Sequence, residues 1–415
     1  MTEQAGPAEP GGLGGPLAGL VVVDLSRALA GPHAAMMLGD LGARVIKVES
    51  PEGDDSRGWG PPFVPGSDGR EHATYFLSCN RNKESVAADL KSDDGRALLA
   101  ALAARADVLI ENFRPGVLDR LGFGAARLHE INPRLVILSI TGFGHDGPEG
   151  SRPGYDQIAQ GEGGLMSVTG PSPDQPTRVG VPIGDILAGM YGAYGVLAAL
   201  AERARTGTGQ VVRTSLLAAA VGAHAYQGTR YTVAGEVPEP GGNYHPSICP
   251  YGLYRAADGF VQIAVGSDAL WQRMAPAFGL DRPQWALNRD RVRDHAAVNA
   301  AVDGAFGRLP AASVLGTLGE LGIPAGKVRD FAEVYGWEQT RSQGLLIEVE
   351  HAALGRITLP GPPLRFETGG RETGRSAHLA PPVLDQHGES VRRWLADGAE
   401  AGQGKPWLPD GAEAG

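Results

Sequence analysis

Residues 20–49 read LVVVDLSRALAGPHAAMMLGDLGARVIKVE, and their pattern decides the fold class. Leu20–Leu25 is a nearly continuous apolar run, the signature of a parallel strand buried on both faces. The small-residue turn Ser26–Gly31 follows. Pro32 suits the first position of a helix, where its missing N–H costs nothing, and Gly42 suits the helix end. Ala43–Glu49 reads as a second strand. Strand, helix and strand in succession form a βαβ unit.

The same alternation continues downstream. Ser92–Ala106 has an acidic first turn and helical apolar spacing. Asp107–Asn112 is a strand, Ala125–Ile131 a short helix and Leu135–Thr141 another strand. From Asp185 a long Ala/Gly-rich helix, DILAGMYGAYGVLAALAERA, leads to a strand at Val211–Ser215. Such alternation predicts an α/β fold with a parallel sheet covered on both faces. Val237–His245 is Pro/Gly punctuation and a candidate linker. Beyond it, Tyr251–Ala256 and Phe260–Val265 flank Ala257-Asp258-Gly259, a predicted hairpin in which Gly259 supplies a positive φ. Helices at Ala269–Phe278 and Ala297–Leu309, and a loop-to-strand passage at Gly322–Val328, complete a smaller α+β domain.

Composition narrows the function. The chain has 415 residues, enough for two lobes. Its formal net charge of −10 opposes nucleic-acid binding, which needs a basic surface. The two cysteines, Cys79 and Cys249, lie far apart and outside any CxxC pattern, so a reducing, cytoplasmic setting is expected. The N-terminus has neither the basic nor the apolar region of a signal peptide, and the apolar runs are interrupted by Gly, Arg or Asp, which predicts a soluble protein without a membrane partner.

Several residues could carry chemistry. Asp185, in VPIGDI, is either a helix N-cap after a turn at Gly184 or a nucleophile aimed into a cleft, since a carboxylate can attack a thioester. Asn112 and Arg120, in ENFRPGVLDRLGFG, follow a strand end, where parallel sheets bind ligands. Arg120 could equally pair with Asp119 or Glu111. Tyr155 and Asp156 are either a packed tyrosine with a turn aspartate or the lining of a site facing Asp185. The glycine clusters fit neither a dinucleotide nor a P-loop motif, the ten histidines show no paired metal spacing, and no GxSxG elbow is present, so no metal is expected.

Taken together, the opening βαβ run, NRNKESVAADLKSDDGRALL, DVLIENFRPGVLDRLGFG, NPRLVILSITGFGHDGP, GYDQIAQGEGGLMSVTG and VPIGDILAGMYGAYGVLAALAERARTGTGQ resemble the class III CoA-transferases, over roughly residues 17 to 395. That family includes formyl-CoA transferase, carnitine CoA-transferases and α-methylacyl-CoA racemase. The resemblance implies a large domain with a Rossmann-like parallel sheet built from both ends of the chain, a smaller α+β domain inserted in it, and an interlocked homodimer. The expected boundaries are a flexible start at 1–17, the large CoA-binding domain at 18–224, and the small domain with its linkers at 225–335. A C-terminal return to the large domain at 336–397 and a disordered tail at 398–415 follow.

By the same resemblance Asp185 is the catalytic aspartate. Ala28, Leu29 and Ala30 match the segment lying against CoA. Ala88 and Leu90 match contacts to the adenine region, and Asn112, Phe113, Val117 and Arg120 match residues around the nucleotide. Tyr155 and Asp156 match residues near the thioester. The implied activity is transfer of CoA from an acyl-CoA, such as succinyl-CoA or another dicarboxylyl-CoA, to a carboxylic acid, through an aspartyl anhydride and an aspartyl-CoA thioester. CoA thioesters are then substrates, with no tightly bound cofactor. Arg27, Arg57 and Tyr155 are candidates for a second substrate carboxylate, with Arg27 and Arg57 equally readable as surface residues.

The sequence also departs from the family. Leu29 stands where formyl-CoA transferase has a glutamine, Ser50 replaces an arginine near the CoA phosphates, and the glycine-rich cover loop is reduced to Gly241-Gly242. The competing readings are a racemase and a non-catalytic acyl-CoA-binding protein. Racemases carry a histidine where Tyr155 stands, and a tyrosine titrating near ~10 is a poor base at neutral pH.

Overall fold

The computed structural model of the protein describes residues 14–400. The expected flexible start and disordered tail therefore lie outside the described residues, except at their inner margins. There Leu17 is buried, donates its N–H to Leu41 O and is no part of a flexible arm. A helix, Gly388–Glu400, runs past the expected beginning of the tail at 398.

The described residues form two compact units: residues 14–164, 179–225 and 342–400, and residues 165–178 with 226–341. Residues 165–178, expected in the large domain, belong to the second unit.

The first unit is built on a parallel sheet of six strands. These are β1 (Val21–Asp24), β2 (Arg44–Glu49), β5 (Lys83–Ala87), β6 (Val108–Glu111), β7 (Val136–Thr141) and β8 (Val211–Ser215), in the order β5-β2-β1-β6-β7-β8. The short hairpin of β3 (Phe63–Pro65) and β4 (Glu71–Ala73) stands apart from the sheet. Helices α1 (Ala30–Asp40), α2 (Thr74–Ser78), α3 (Asp93–Arg105), α4 (Val117–Arg120), α5 (Ala125–Ile131), α6 (Asp156–Glu162), α7 (Ile183–Thr206) and α8 (Leu216–Gly222) supply the connections.

Alternate residues of each strand feed opposite faces, as the pleat requires. Val22, Val45, Val108 and Leu138 pack with α1 and α7 on one side. Val23, Ile46, Leu109 and Ile137 pack with α3 and α5 on the other. Both faces are dry, which is why these strands read as continuous apolar runs. Every strand of this sheet comes from residues 21–215, so the expected contribution from both chain ends is corrected. The C-terminal return instead forms a separate hairpin, Leu346–His351 with Gly355–Pro360, and a helix whose Val391 enters the second core.

Three local readings also change. Helix α1 begins at Ala30, so Pro32 occupies its third position. In the second unit the hairpin of β9 (Tyr251–Ala256) and β10 (Gly259–Ala264) turns at Ala257-Asp258, while Gly259 pairs within the strand and has no positive φ. The apolar run in α7 is not broken: at 24 residues with a window hydropathy of 1.4, this helix is long and apolar enough to cross a membrane by length and composition alone. In the fold it is a core helix, with Ala188, Gly189, Ala193 and Val196 buried.

The second unit packs β9, β10 and β11 (Ala325–Lys327) antiparallel against helices around Tyr254, Trp271, Met274 and Phe306.

Candidate active site

The strand order places a reversal of winding between β1 and β6: β2 and β5 extend to one side of β1, and β6 to β8 to the other. Loops leaving the carboxyl ends of two such strands diverge and open a crevice, where parallel sheets bind ligands. Here those loops begin at Leu25 and Asn112. Asn112 spans the crevice, accepting a bond from Arg27 N (2.8 Å) and donating one to Arg27 O (2.8 Å). The Arg27 guanidinium lies 5.8 Å from the Phe113 ring centroid.

Arg27, and with it the start of the segment 28–30, is thereby tied to Asn112 and Phe113. Ala28 adopts a left-handed conformation with φ of 65°, Leu29 is the N-cap residue of α1, and Ala30 is its first residue. Leu29 offers no side-chain acceptor, so the first-turn amides of α1 have no capping partner. Ala88 donates its N–H to Glu49 O at the neighbouring strand end, and Leu90 is packed partly on the second core. Val117 opens α4. Arg120 closes that helix, is exposed, and makes no ion pair with Asp119 or Glu111 among the described residues.

The second cluster centres on Asp185. Pro182 is the N-cap of α7, which puts Asp185 in the first turn and excludes the capping role. Gly184 has helical rather than positive φ, and its value is its lack of a side chain. A Cβ there would stand 3.1 Å from Asp156 Oδ1. Asp156, at the start of α6, occupies that space. Its Oδ1 accepts from Gly184 N at 2.7 Å and Asp185 N at 3.4 Å, and its Oδ2 from Gln160 Nε2 at 2.7 Å. The amides of α7 thus serve Asp156, and among the described residues no hydrogen-bond donor reaches the Asp185 carboxylate. Burial, and then the negative charge of Asp156, push Asp185 up to about 7.

Two aromatics that the sequence reading did not single out line this cluster. Trp59 stands edge-on to Tyr75 (5.0 Å between centroids) and to Tyr155 (6.5 Å), while Tyr155 itself is 68% exposed. Burial, followed by the Asp185 charge, raises the Tyr75 phenol well above its ordinary range and keeps it a neutral donor. Nothing in local pattern marks either residue: Trp59 follows a short turn and Tyr75 sits in the five-residue helix α2, both between β2 and β5. Further along, Gly189 brings the clusters together. A Cβ on it would meet Ala30 O at 2.6 Å, so α7 can approach the start of α1 only with glycine at this position.

Arg57 is not available to a substrate. It holds Glu49 through two bonds (2.8 and 2.7 Å), reaches Pro382 O and lies 3.7 Å over the Phe76 ring. Ser50 is spent on Gly53 O at 3.0 Å. Lys47 and Lys83 were also missed. Both are fully buried: Lys47 lies inside the interior strand β2, where a charge was the available signal, whereas Lys83 opens the edge strand β5. No group of three or more His, Cys, Asp or Glu among the described residues could hold a metal ion.

A parallel sheet with a crevice at its winding reversal, beside a buried carboxylate of raised pKa, defines an enzyme site for a ligand lying across strand ends. The chain belongs to CoA-transferase family III, whose profile it matches over residues 17–388. It is 39% identical over 367 residues to the succinate–glutarate CoA-transferase of Agrobacterium fabrum, covering 85% of this chain and 91% of that one. Identity to the succinyl-CoA:glutarate CoA-transferase of Mus musculus is 36% over 377 residues, covering 90% and 84%. A CAIB/BAIF family protein from Brucella suis, of known crystal structure, superposes with a TM-score of 0.80 at 39% identity, covering 92% of this chain and all of that one. The chain is accordingly a class III CoA-transferase.

Proposed function

We propose that this enzyme moves CoA between carboxylic acids by covalent catalysis at Asp185, with succinyl-CoA or another dicarboxylyl-CoA as donor. The observation that carries the mechanism is the carboxylate itself: partly buried, without hydrogen-bond donors, beside a second carboxylate and on a rigid helix. An undersolvated carboxylate is a stronger nucleophile than a hydrated one.

An Asp185 oxygen attacks the donor acyl carbon, the C–S bond breaks, and CoA leaves as thiolate. The thiolate attacks Cγ of Asp185 in the resulting anhydride and expels the donor carboxylate, leaving an aspartyl-CoA thioester. The acceptor carboxylate attacks the same Cγ and releases the thiolate. Attack of that thiolate on the acceptor acyl carbon then gives the new thioester and free Asp185. No net proton is exchanged. Tyr75, held neutral, and amides of the neighbouring glycine-rich turns are the donors for the oxyanions.

In this reading Ala28, Leu29 and Ala30 lie along CoA. Asn112, Phe113, Val117 and Arg120 take its nucleotide end with Ala88 and Leu90, and Tyr155 and Asp156 border the thioester. The relatives' names supply the dicarboxylate preference, and Arg27 is the cation for the second carboxylate. A panel of acids with succinyl-CoA tests the assignment. Exchange of CoA supports it, whereas deuterium exchange at an α-carbon alone makes the enzyme a racemase, and binding without either makes it a carrier.

The homodimer belongs to the same proposal. Met190, Tyr191, Tyr194 and Leu197 form one exposed apolar strip along α7, with Tyr194 72% exposed, and a second copy would cover it. Sedimentation of the native protein as a monomer would remove this part. The two buried, unpaired cysteines suit a cytoplasmic setting.

A further inference from the structure

The turn between β1 and α1 is held almost atom by atom, by side chains that the transfer chemistry does not use. Ser26 N donates to Asp24 Oδ1 at 2.9 Å, and Ser26 O accepts from Lys47 Nζ at 2.8 Å. Asn112 takes both backbone groups of Arg27. Ala28 N donates to Asp54 Oδ1 at 3.2 Å, and Ala28 O faces the Cys79 thiol at 3.6 Å. Pro32 O accepts from Lys83 Nζ at 2.8 Å.

The charges behind these contacts form one buried cluster. Lys47 Nζ lies 2.9 Å from Asp54 Oδ2 and 4.0 Å from Asp24 Oδ2, while Lys83 Nζ lies 2.8 Å from Asp24 Oδ2. All four side chains are essentially inaccessible. Burial alone would raise both aspartates, but Lys83 and Lys47 outweigh it at Asp24, and Lys47 with the Ser56 donors outweighs it at Asp54, which is held at about 2.

A buried cluster of this kind is a poor source of stability, because desolvation cancels most of the attraction. It does fix geometry. Ala28 has φ of 65°, a conformation that L-residues other than Asn and Asp rarely adopt. Among the described residues, the one bond that its own N–H makes is to Asp54. Asp54 in turn is fixed from below by Lys47 and from the side by Ser56 N (2.9 Å) and Ser56 Oγ (2.8 Å).

We propose that Asp54, seated on Lys47, is a positioning residue for CoA transfer: its carboxylate holds Ala28 in the left-handed conformation that sets residues 28–30 along the crevice. This rests on the reading that those residues lie against CoA. Asp54 touches no reacting atom. It acts through Ala28, and Lys47 acts through Asp54.

The test uses paired variants of the full chain in which the buried charge is removed equally, so that only the acceptor differs. K47M/D54N keeps an oxygen for Ala28 N, and K47M/D54A does not. Desulfo-CoA affinity is measured by calorimetry and single-turnover acylation of Asp185 by quenched flow, with circular dichroism and melting temperature for folding. Relative to K47M/D54N, the alanine variant is expected to bind desulfo-CoA at least about tenfold more weakly and to acylate at least about tenfold more slowly. Adding A28G, which reaches positive φ freely, is expected to restore most of that loss without raising the melting temperature in step.

Equal affinity and acylation in the two folded variants would overturn the proposal. So would a loss in K47M/D54A that A28G leaves untouched. If neither double variant folds, single D54N and D54A chains with Ala28 intact are compared in the same way, and an absent difference there sinks the idea. A wild-type chain that binds no desulfo-CoA would instead remove the CoA reading beneath it.

Discussion

Asp156 accepts the amide of Gly184 at 2.7 Å and that of Asp185 at 3.4 Å, so the positive end of α7 is spent on one carboxylate while its neighbour is left without a donor. Two aspartates that look interchangeable in sequence thereby acquire opposite characters. Asp156 is a solvated-by-protein anion, and Asp185 is an underserved one. This division underlies the chemistry proposed for the site.

Replacing Asp185 with Asn removes the nucleophile while preserving its shape. CoA exchange is expected to fall by at least about 10³-fold, with desulfo-CoA affinity within about threefold of wild type. Hydroxylamine trapping during turnover should label wild type at this residue and leave the variant unmodified.

The pH dependence follows from the position of Asp185 at about 7. Its attacking form is the anion, so single-turnover acylation should rise with pH through about 7 and level off above 8. Asp156→Asn keeps an acceptor for Gly184 N but removes the second-largest cause of the shift. The midpoint is then expected to move to lower pH, while burial keeps it above the ordinary aspartate value. An unchanged profile in D156N would contradict this coupling.

The same shift links to stability. Because the folded-state pKa is raised, the folded chain binds the Asp185 proton more tightly than the unfolded chain does. That stabilisation is full below about 4 and is lost as pH rises through about 7. Asp185→Asn cannot ionise. Its melting temperature should exceed that of wild type by about 2 °C or more at pH 8.5, and the gap should close towards pH 4. A constant gap would contradict the linkage.

Gly189→Val inserts a side chain where a Cβ already meets Ala30 O at 2.6 Å. Overpacking of this kind costs about 1–3 kcal/mol, measurable by denaturant titration. It should also lower acylation in the folded fraction, because the start of α1 would have to retreat from α7. Ala198→Val, on the same helix, serves as the control.

Much of this architecture was readable from residue order. Ala125–Ile131 and Val211–Ser215 were located to the residue, since clear periodicity and flanking Gly or Asn mark their ends. Strand β5 was not identified, because Lys83, Glu84 and Ser85 interrupt the apolar run of a buried strand. Those polar residues are there for partners distant in sequence: Lys83 for Asp24, Glu84 for Arg44, and Ser85 for Glu49. Asp185 was legible, and Asp156 facing it was one of two open alternatives; pattern could not choose between them, since Asp156 lies 29 residues earlier and meets Asp185 only through tertiary packing. The partners of Arg57 were hidden for the same reason. No local pattern shows that Glu49, Phe76 and Pro382 enclose it.

The unequal treatment of the two carboxylates also bears on water, the ubiquitous rival acceptor. Once Asp185 is esterified, one of two crowded negative charges has vanished, and the covalent enzyme is relieved of a repulsion that the free enzyme must bear. Every route back to free Asp185, hydrolysis and productive release alike, must re-create that anion in a place that solvates it poorly. The arrangement thus favours the covalent state, whichever acceptor finally discharges it.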